Sequence, residues 1–204
     1  MKTFLLAAAL AATALVPVAA QAAGESPWQI RARAIGVIPD EGATVTPLGG
    51  SVDIDTSWMP EVDVTYFITD NIALELIAAT MEHSVKHTPT STNLGSVWLL
   101  PPTLTLQYHF QPKERFRPYV GAGVNYTIFY NEKAGALTSV SYDNAFGFAL
   151  QAGADFAVGD SGYFLNIDVK KVFLETDVSF NGGAIRAKVD IDPWIVGVGF
   201  GYRF

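Results

Sequence analysis

Apolar and polar residues alternate with a period of two in eight separate stretches of the chain, most plainly in the last, "WIVGVGFGYRF". There Trp194, Val196, Val198, Phe200, Tyr202 and Phe204 share one face, and Ile195, Gly197, Gly199, Gly201 and Arg203 the other. Successive side chains of a strand point to opposite faces, so this spacing predicts a strand with one apolar and one small or polar face. The same reasoning predicts strands over 28–38, 61–68, 71–80, 103–110, 119–130, 145–158 and 163–173. The last stretch has Trp194 at one end of its apolar face and Tyr202 and Phe204 at the other. About 9–11 residues banded by aromatics is what a strand needs to cross a bilayer.

The connections alternate in length as well. Long segments over 39–50, 83–96 and 131–143 are interleaved with short ones at 69–71, 111–118 and 159–162, and "NGG" at 181–183 carries a hairpin-turn signal. On either side of it, "ETDVSF" and "AIRAKVDID" are polar enough to stand in water above a membrane. An even strand number with long loops on one side predicts an all-β fold, an eight-stranded antiparallel transmembrane β-barrel with short periplasmic turns and longer extracellular loops. The ending Phe200, Tyr202, Phe204 then reads as the strand that closes the barrel at the periplasmic interface.

Composition sharpens this picture. The chain is 50% hydrophobic and only 16% charged, against roughly 25% charged in ordinary globular chains. The first 22 residues combine Lys2, an apolar run from Phe4 to Val16, and Ala20-Gln21-Ala22. That is the layout of a cleaved secretory signal peptide, leaving 23–204 as a single barrel domain in the outer membrane of a Gram-negative bacterium. No apolar run in 23–204 is long enough for a membrane helix, and a closed barrel is the other structure that can span a bilayer. With no cysteine there is neither disulfide framework nor thiolate chemistry. The net charge of −7 weighs against nucleic acid as a partner.

Alternation alone does not say which face looks inward. A soluble ligand-binding barrel would put Gly121, Gly123, Gly147, Gly153, Gly197, Gly199 and Gly201 on its outer surface, where glycine only weakens a strand. Inside a narrow barrel the same glycines make room for neighbouring side chains, so the apolar face is assigned to lipid. The inward residues are then Arg31, Arg33, Asp63, Glu75, Gln107, His109, Asn125, Gln151, Asp155, Asp168, Lys170 and Arg203. Balanced charges in a narrow lumen pair, because isolated buried charges are costly. Of these, Arg31, Arg33, Asp63, Glu75, His109, Asp155, Asp168 and Arg203 are expected to form a polar plug on the periplasmic side. Above it the inward positions Ile35, Val37, Ile77, Ala79, Val172 and Ile195 predict an apolar vestibule.

The stretches "TDNIALELIAAT", "LPPTLTLQYHF", "FRPYVGAGVNYT", "DNAFGFALQAGADF", "NIDVKK" and "IDPWIVGVGFGYRF" resemble, in order, the OmpW family of small outer-membrane barrels. The segments 39–57 and 84–96 match weakly. The resemblance implies passive passage of small hydrophobic molecules, which enter an apolar lumen from outside, meet a plugged floor and leave sideways between strands. It also implies that Ile77 lies at a constriction. The partner position, which can be tryptophan in the family, is Lys170 here. That ammonium argues against a wholly apolar gate unless Asp168, Asp155 or Glu75 neutralises it, and points to amphipathic or anionic solutes. A lateral exit needs a gap in the ladder, and Pro60, which interrupts the second strand, and Pro101-Pro102, which enter the fourth, lack the N–H that a ladder uses.

Other chemistry finds little support. Nucleophilic catalysis needs a nucleophile within reach of a base, but His83 and Ser84 point to opposite faces and His109 has no serine beside it, so no enzyme is expected. Glu82, His83 and His87 read as solvated residues entering a loop rather than a metal site, and no cofactor is implied. The expected partners are outer-membrane lipid and lipopolysaccharide, the barrel-assembly machinery, and small hydrophobic or amphipathic solutes. Two other roles remain open: a structural or adhesive barrel acting through its loops as a receptor for phage or bacteriocins, and a narrow ion channel.

Overall fold

The computed structural model describes residues 26–40, 42–46, 51–88, 90–136 and 138–204; the expected signal segment over 1–22 lies outside them. From the periplasmic end β1 (Trp28–Ile38) rises to β2 (Gly42–Thr46) and β3 (Val52–Ile54), and β4 (Ser57–Phe67) returns. Strand β5 (Ile72–Ala78) rises and continues as β6 (Met81–His87), then β7 (Thr92–Leu100) and β8 (Thr103–His109) descend. Next come the long β9 (Phe116–Ala134), the short β10 (Val140–Tyr142), β11 (Ala145–Ala157) and the long β12 (Tyr163–Phe180). A 3₁₀ turn at Asn181–Gly183 leads into β13 (Ile185–Asp190) and the closing strand β14 (Trp194–Arg203).

Eight of these strands form a closed ring, all neighbours antiparallel: β1, β4, β5, β8, β9, β11, β12, β14 and back to β1. The closing ladder runs without a slip from Gln29↔Arg203 to Ile38↔Trp194. Above the ring the sheet divides in two. One half joins β2, β13, β12 and β10, and the other joins β3, β6, β7 and β9.

Strand β12 displays why the chain folds this way. Its lower outward residues Leu165, Ile167 and Val169 are exposed and apolar, while Asn166, Asp168 and Lys170 point inward. Past Phe173 the outward residues become Glu175, Asp177 and Ser179, and the inward ones, Thr176 apart, become Leu174, Val178 and Phe180. The outer face changes from lipid to water and the inner face from polar to apolar, so the alternation reverses sign. This reversal corrects the expected boundaries. The predicted loop over 83–96 is mostly β6 and β7, β2 lies within 39–50, and the strands predicted over 61–68, 119–130 and 163–173 extend beyond those limits.

The inward glycines are what let a small ring hold large side chains. A Cβ on Gly201 would run into the Phe164 ring and the Arg31 side chain, and one on Gly199 would meet the side chain of Arg33. At the closing end Phe200 and Phe204 face outward, and the Tyr202 ring packs against Tyr163 and Phe204 at 4.9 and 5.0 Å. Gly201→Leu is therefore expected to exceed the ~1–3 kcal/mol typical of overpacking and to remove most of the compact, heat-modifiable barrel band on unboiled SDS gels. The outward Val198→Leu should leave that band intact.

Candidate functional site

Two arginines of β1 tie the lower lumen together from wall to wall. Arg31 Nε lies 3.0 Å from Asp63 Oδ1 on β4, and its Nη2 lies 3.3 Å from Glu75 on β5; Nη1 lies 3.7 Å from Asp155 on β11. Arg33 Nε lies 2.8 Å from Glu61, Nη2 lies 2.9 Å from Glu75 and also meets Asp63, and Nη1 lies 3.5 Å from Asp168 on β12. Neutral groups complete the network: Tyr119 donates to Asp168 at 2.7 Å, Thr105 to Glu75 at 2.9 Å and Asn166 to Asp155 at 2.7 Å. Gln151 donates to both Glu75 and Asp168 at 2.9 Å. Below these, the His109 ring sits between Phe67 and Tyr119, and the Arg203 guanidinium lies 3.9 Å from the centre of the Phe67 ring.

Lys170 forms the top of this network. Its Nζ lies 2.7 Å from Asp168 and 3.1 Å from Glu61. Asp168 is two residues earlier on the same strand, so the ammonium is drawn down into the charged layer. Of the three carboxylates named for this purpose, Asp168 makes the pair; Asp155 and Glu75 pair with the arginines instead. Glu61 was not among the expected inward residues, nor were Tyr119 and Asn166, although all three have the inward parity of their strands. Glu61 is the first residue of the strand predicted over 61–68, immediately after Pro60.

Above Lys170 lies an apolar cavity of about 80 Å³, several times the ~10–15 Å³ that one water requires on this measure. Ile35, Val37, Ile77 and Val172 are buried in its wall, and Ala79 and Ile195 pack against the same cluster. The lining continues upward between the two outer half-sheets, where Val52, Ile54 and Val85 from one face Val178, Phe180 and Val189 from the other. Lys170 and Glu61 reach its lower end.

The three prolines surround one interruption of the sheet. Pro60 does not interrupt its strand on the β1 side, where the register continues through Ala34↔Pro60 up to Val37↔Ser57. On the other side the β4–β5 ladder stops at Val62↔Ala78. The β5–β8 ladder stops at Ile77↔Thr103, and pairing resumes above it at Met81↔Leu99. Pro101 and Pro102 thus separate β7 from β8, opposite the bend at Ala79 and Thr80 between β5 and β6. Ala79, Met81, His83 and Pro101 all line the cavity, so the cavity reaches this break.

His83 is the clearest departure from the expectation of a solvated loop. It is 6% exposed and faces inward, whereas its neighbour Glu82 points out to Lys133 and Ser96. Its Nδ1 lies 3.2 Å from the Asp55 carbonyl, which can only accept, so a proton on Nδ1 makes this bond. The Ser57 hydroxyl lies 3.4 Å from Nε2 and can donate there. This part of β6 stands above the lipid belt, and burial holds the imidazole below its ordinary pKa, in the neutral form.

A family model described as "OmpW family" matches residues 24–204. Outer-membrane protein y4mB of Sinorhizobium fredii is 47% identical, over 90% of this chain and 82% of its own. The dibenzothiophene metabolism operon protein PahQ of Pseudomonas aeruginosa is 34% identical, over 89% of this chain and 90% of its own. The crystal structure of OprG from Pseudomonas aeruginosa superposes with a TM-score of 0.81 at 28% identity, covering 88% of this chain and 97% of that one.

The pairing of Lys170 predicts non-additive stability. Lys170→Met leaves Glu61 and Asp168 short of a cation, a loss of about 3–5 kcal/mol for a broken buried pair. Glu61→Gln in the same chain should recover more than about 1 kcal/mol of it, read from urea unfolding midpoints of the refolded barrel in vesicles.

Proposed function

Because the chain belongs to the OmpW family and its barrel stands in the outer membrane in contact with lipid, we propose that it is a passive conduit for small apolar molecules. In this reading a solute enters between the two outer half-sheets, descends the cavity to the charged floor and leaves sideways into the bilayer through the break beside Pro60, Pro101 and Pro102. The observation that carries it is the continuity of one apolar lining from above the membrane down to Lys170 and Glu61. A hydrocarbon dissolves readily in lipid but poorly in the polar saccharide layer outside it, so a dry passage through that layer removes the step that excludes it. Ile77, in the wall beside the floor, is the residue assigned to the constriction.

The environment of Lys170 favours apolar over anionic solutes. Its charge is directed toward Asp168 and Glu61, and its aliphatic stem is the part left for the cavity. The name of PahQ, from a dibenzothiophene metabolism operon, accords with a largely apolar aromatic cargo. The same floor argues against ion conduction, because Arg31 and Arg33 join β1 to β4, β5, β11 and β12 across the lumen.

Expression in Gram-negative cells lacking a family member should speed uptake of the apolar dye N-phenylnaphthylamine several-fold over empty vector. Ile77→Arg, checked to be folded and present in the outer membrane, should return uptake to background. Equal uptake by wild type, Ile77→Arg and empty vector refutes the conduit.

A further inference from the structure

The break beside the prolines has two unpaired edges. From Ser57 to Glu61, β4 is laddered to β1 alone, and from Met81 to Ser84, β6 is laddered to β7 alone; β3 meets β6 only at Val85–His87. Among the described residues, the hydrogen bonds across this opening converge on one side chain. His83, on β6, reaches the Asp55 carbonyl at 3.2 Å and the Ser57 hydroxyl at 3.3 and 3.4 Å from its two nitrogens. Asp55 and Ser57 lie at the top of β4, where the chain arrives from β3. The same imidazole also faces the cavity and rests against Met81 Sδ at 3.0 Å.

A buried backbone edge without a partner is costly in an apolar surrounding, so an unlatched gap would either flood or collapse. A side chain rooted on one edge that bonds to the other can hold the gap shut while remaining reversible. Each such bond is worth only about 0.5–1.5 kcal/mol net, which thermal motion breaks often. A ladder of several backbone pairs would not open so readily.

We propose that His83 is a positioning residue that latches β6 to the top of β4 and thereby sets how readily a solute leaves the cavity sideways. This rests on the conduit reading: His83 closes the upper end of the opening, above the lipid belt, and the lower end beside Pro60 and Pro101 is where a solute meets lipid. Rooted on β6, His83 bonds across the opening to the β4 side at two points and touches the solute path from within. With its proton on Nδ1 the ring donates to the Asp55 carbonyl and can accept from the Ser57 hydroxyl.

Two measurements test it, one of them independent of transport. In His83→Ala, hydrogen exchange at the amides of Ser57–Met59 and Met81–Ser84 should quicken about tenfold, with Ala73–Leu76 unchanged; His83→Gln, which can still bridge, should restore most of the protection. Unchanged exchange in His83→Ala overturns the latch even if dye uptake is normal. The second uses the absence of native cysteine. Ser57→Cys with His83→Cys, bridged by dibromobimane, should take up N-phenylnaphthylamine at least fivefold more slowly than the His83→Cys barrel carrying monobromobimane, which has similar bulk but no bridge. Equal rates overturn the latch. If exchange responds as expected but no barrel, wild type included, admits dye above empty vector, the latch stands and the conduit reading falls.

Discussion

The ladder between β1 and β14 turns a sheet into a tube, and the remaining architecture depends on that closure. In hydrocarbon no water is present to satisfy an open strand edge, so every backbone donor and acceptor at lipid depth must be paired within the protein. Ten consecutive residue pairs from Gln29↔Arg203 to Ile38↔Trp194 accomplish this. The requirement fixes more than hydrogen bonds. An eight-stranded tube cannot take a bulky side chain from every strand at one level, so β14, paired beside Arg31 and Arg33, carries Gly197, Gly199 and Gly201. Closure, glycine and buried guanidinium are therefore one solution to a single geometric problem.

The charged layer is costly in isolation and tolerable only as a whole. Arg31, Arg33 and Lys170 pair with Glu61, Asp63, Glu75, Asp155 and Asp168, while Arg117 and Arg203 lie over the Phe164 and Phe67 rings. A buried ion pair is weak evidence for stability, and its value here lies elsewhere. The network joins most of the barrel strands to one another at the level where the lumen must be sealed. That leaves the upper lumen free to be apolar.

Most of the ring was legible in the sequence because lipid imposes the same rule on every strand: apolar outside, polar or small inside. The rule loses its force at the edge of the bilayer. Glu82, Ser84 and Lys86 face outward while Met81, His83 and Val85 face inward, an alternation as regular as that of β14 but of opposite sense. A reading tuned to outward apolar residues takes such a segment for a loop, and it hides His83 as a solvated side chain. Glu61 was missed for a different reason. It opens the predicted strand with the correct parity, but only the three-dimensional arrangement brings it to Lys170 on another strand of the barrel.

The two outer half-sheets are cantilevers. Each is rooted in one uninterrupted strand, β9 or β12, and those strands also supply floor residues: Tyr119 from the first, Asn166, Asp168 and Lys170 from the second. Roof and floor of the cavity therefore ride on the same beams, and its height is set by the rigid rise of about 3.3 Å per strand residue. Its girth is set only by how far the beams lean apart. Such a chamber takes guests of varied thickness more readily than guests of varied length.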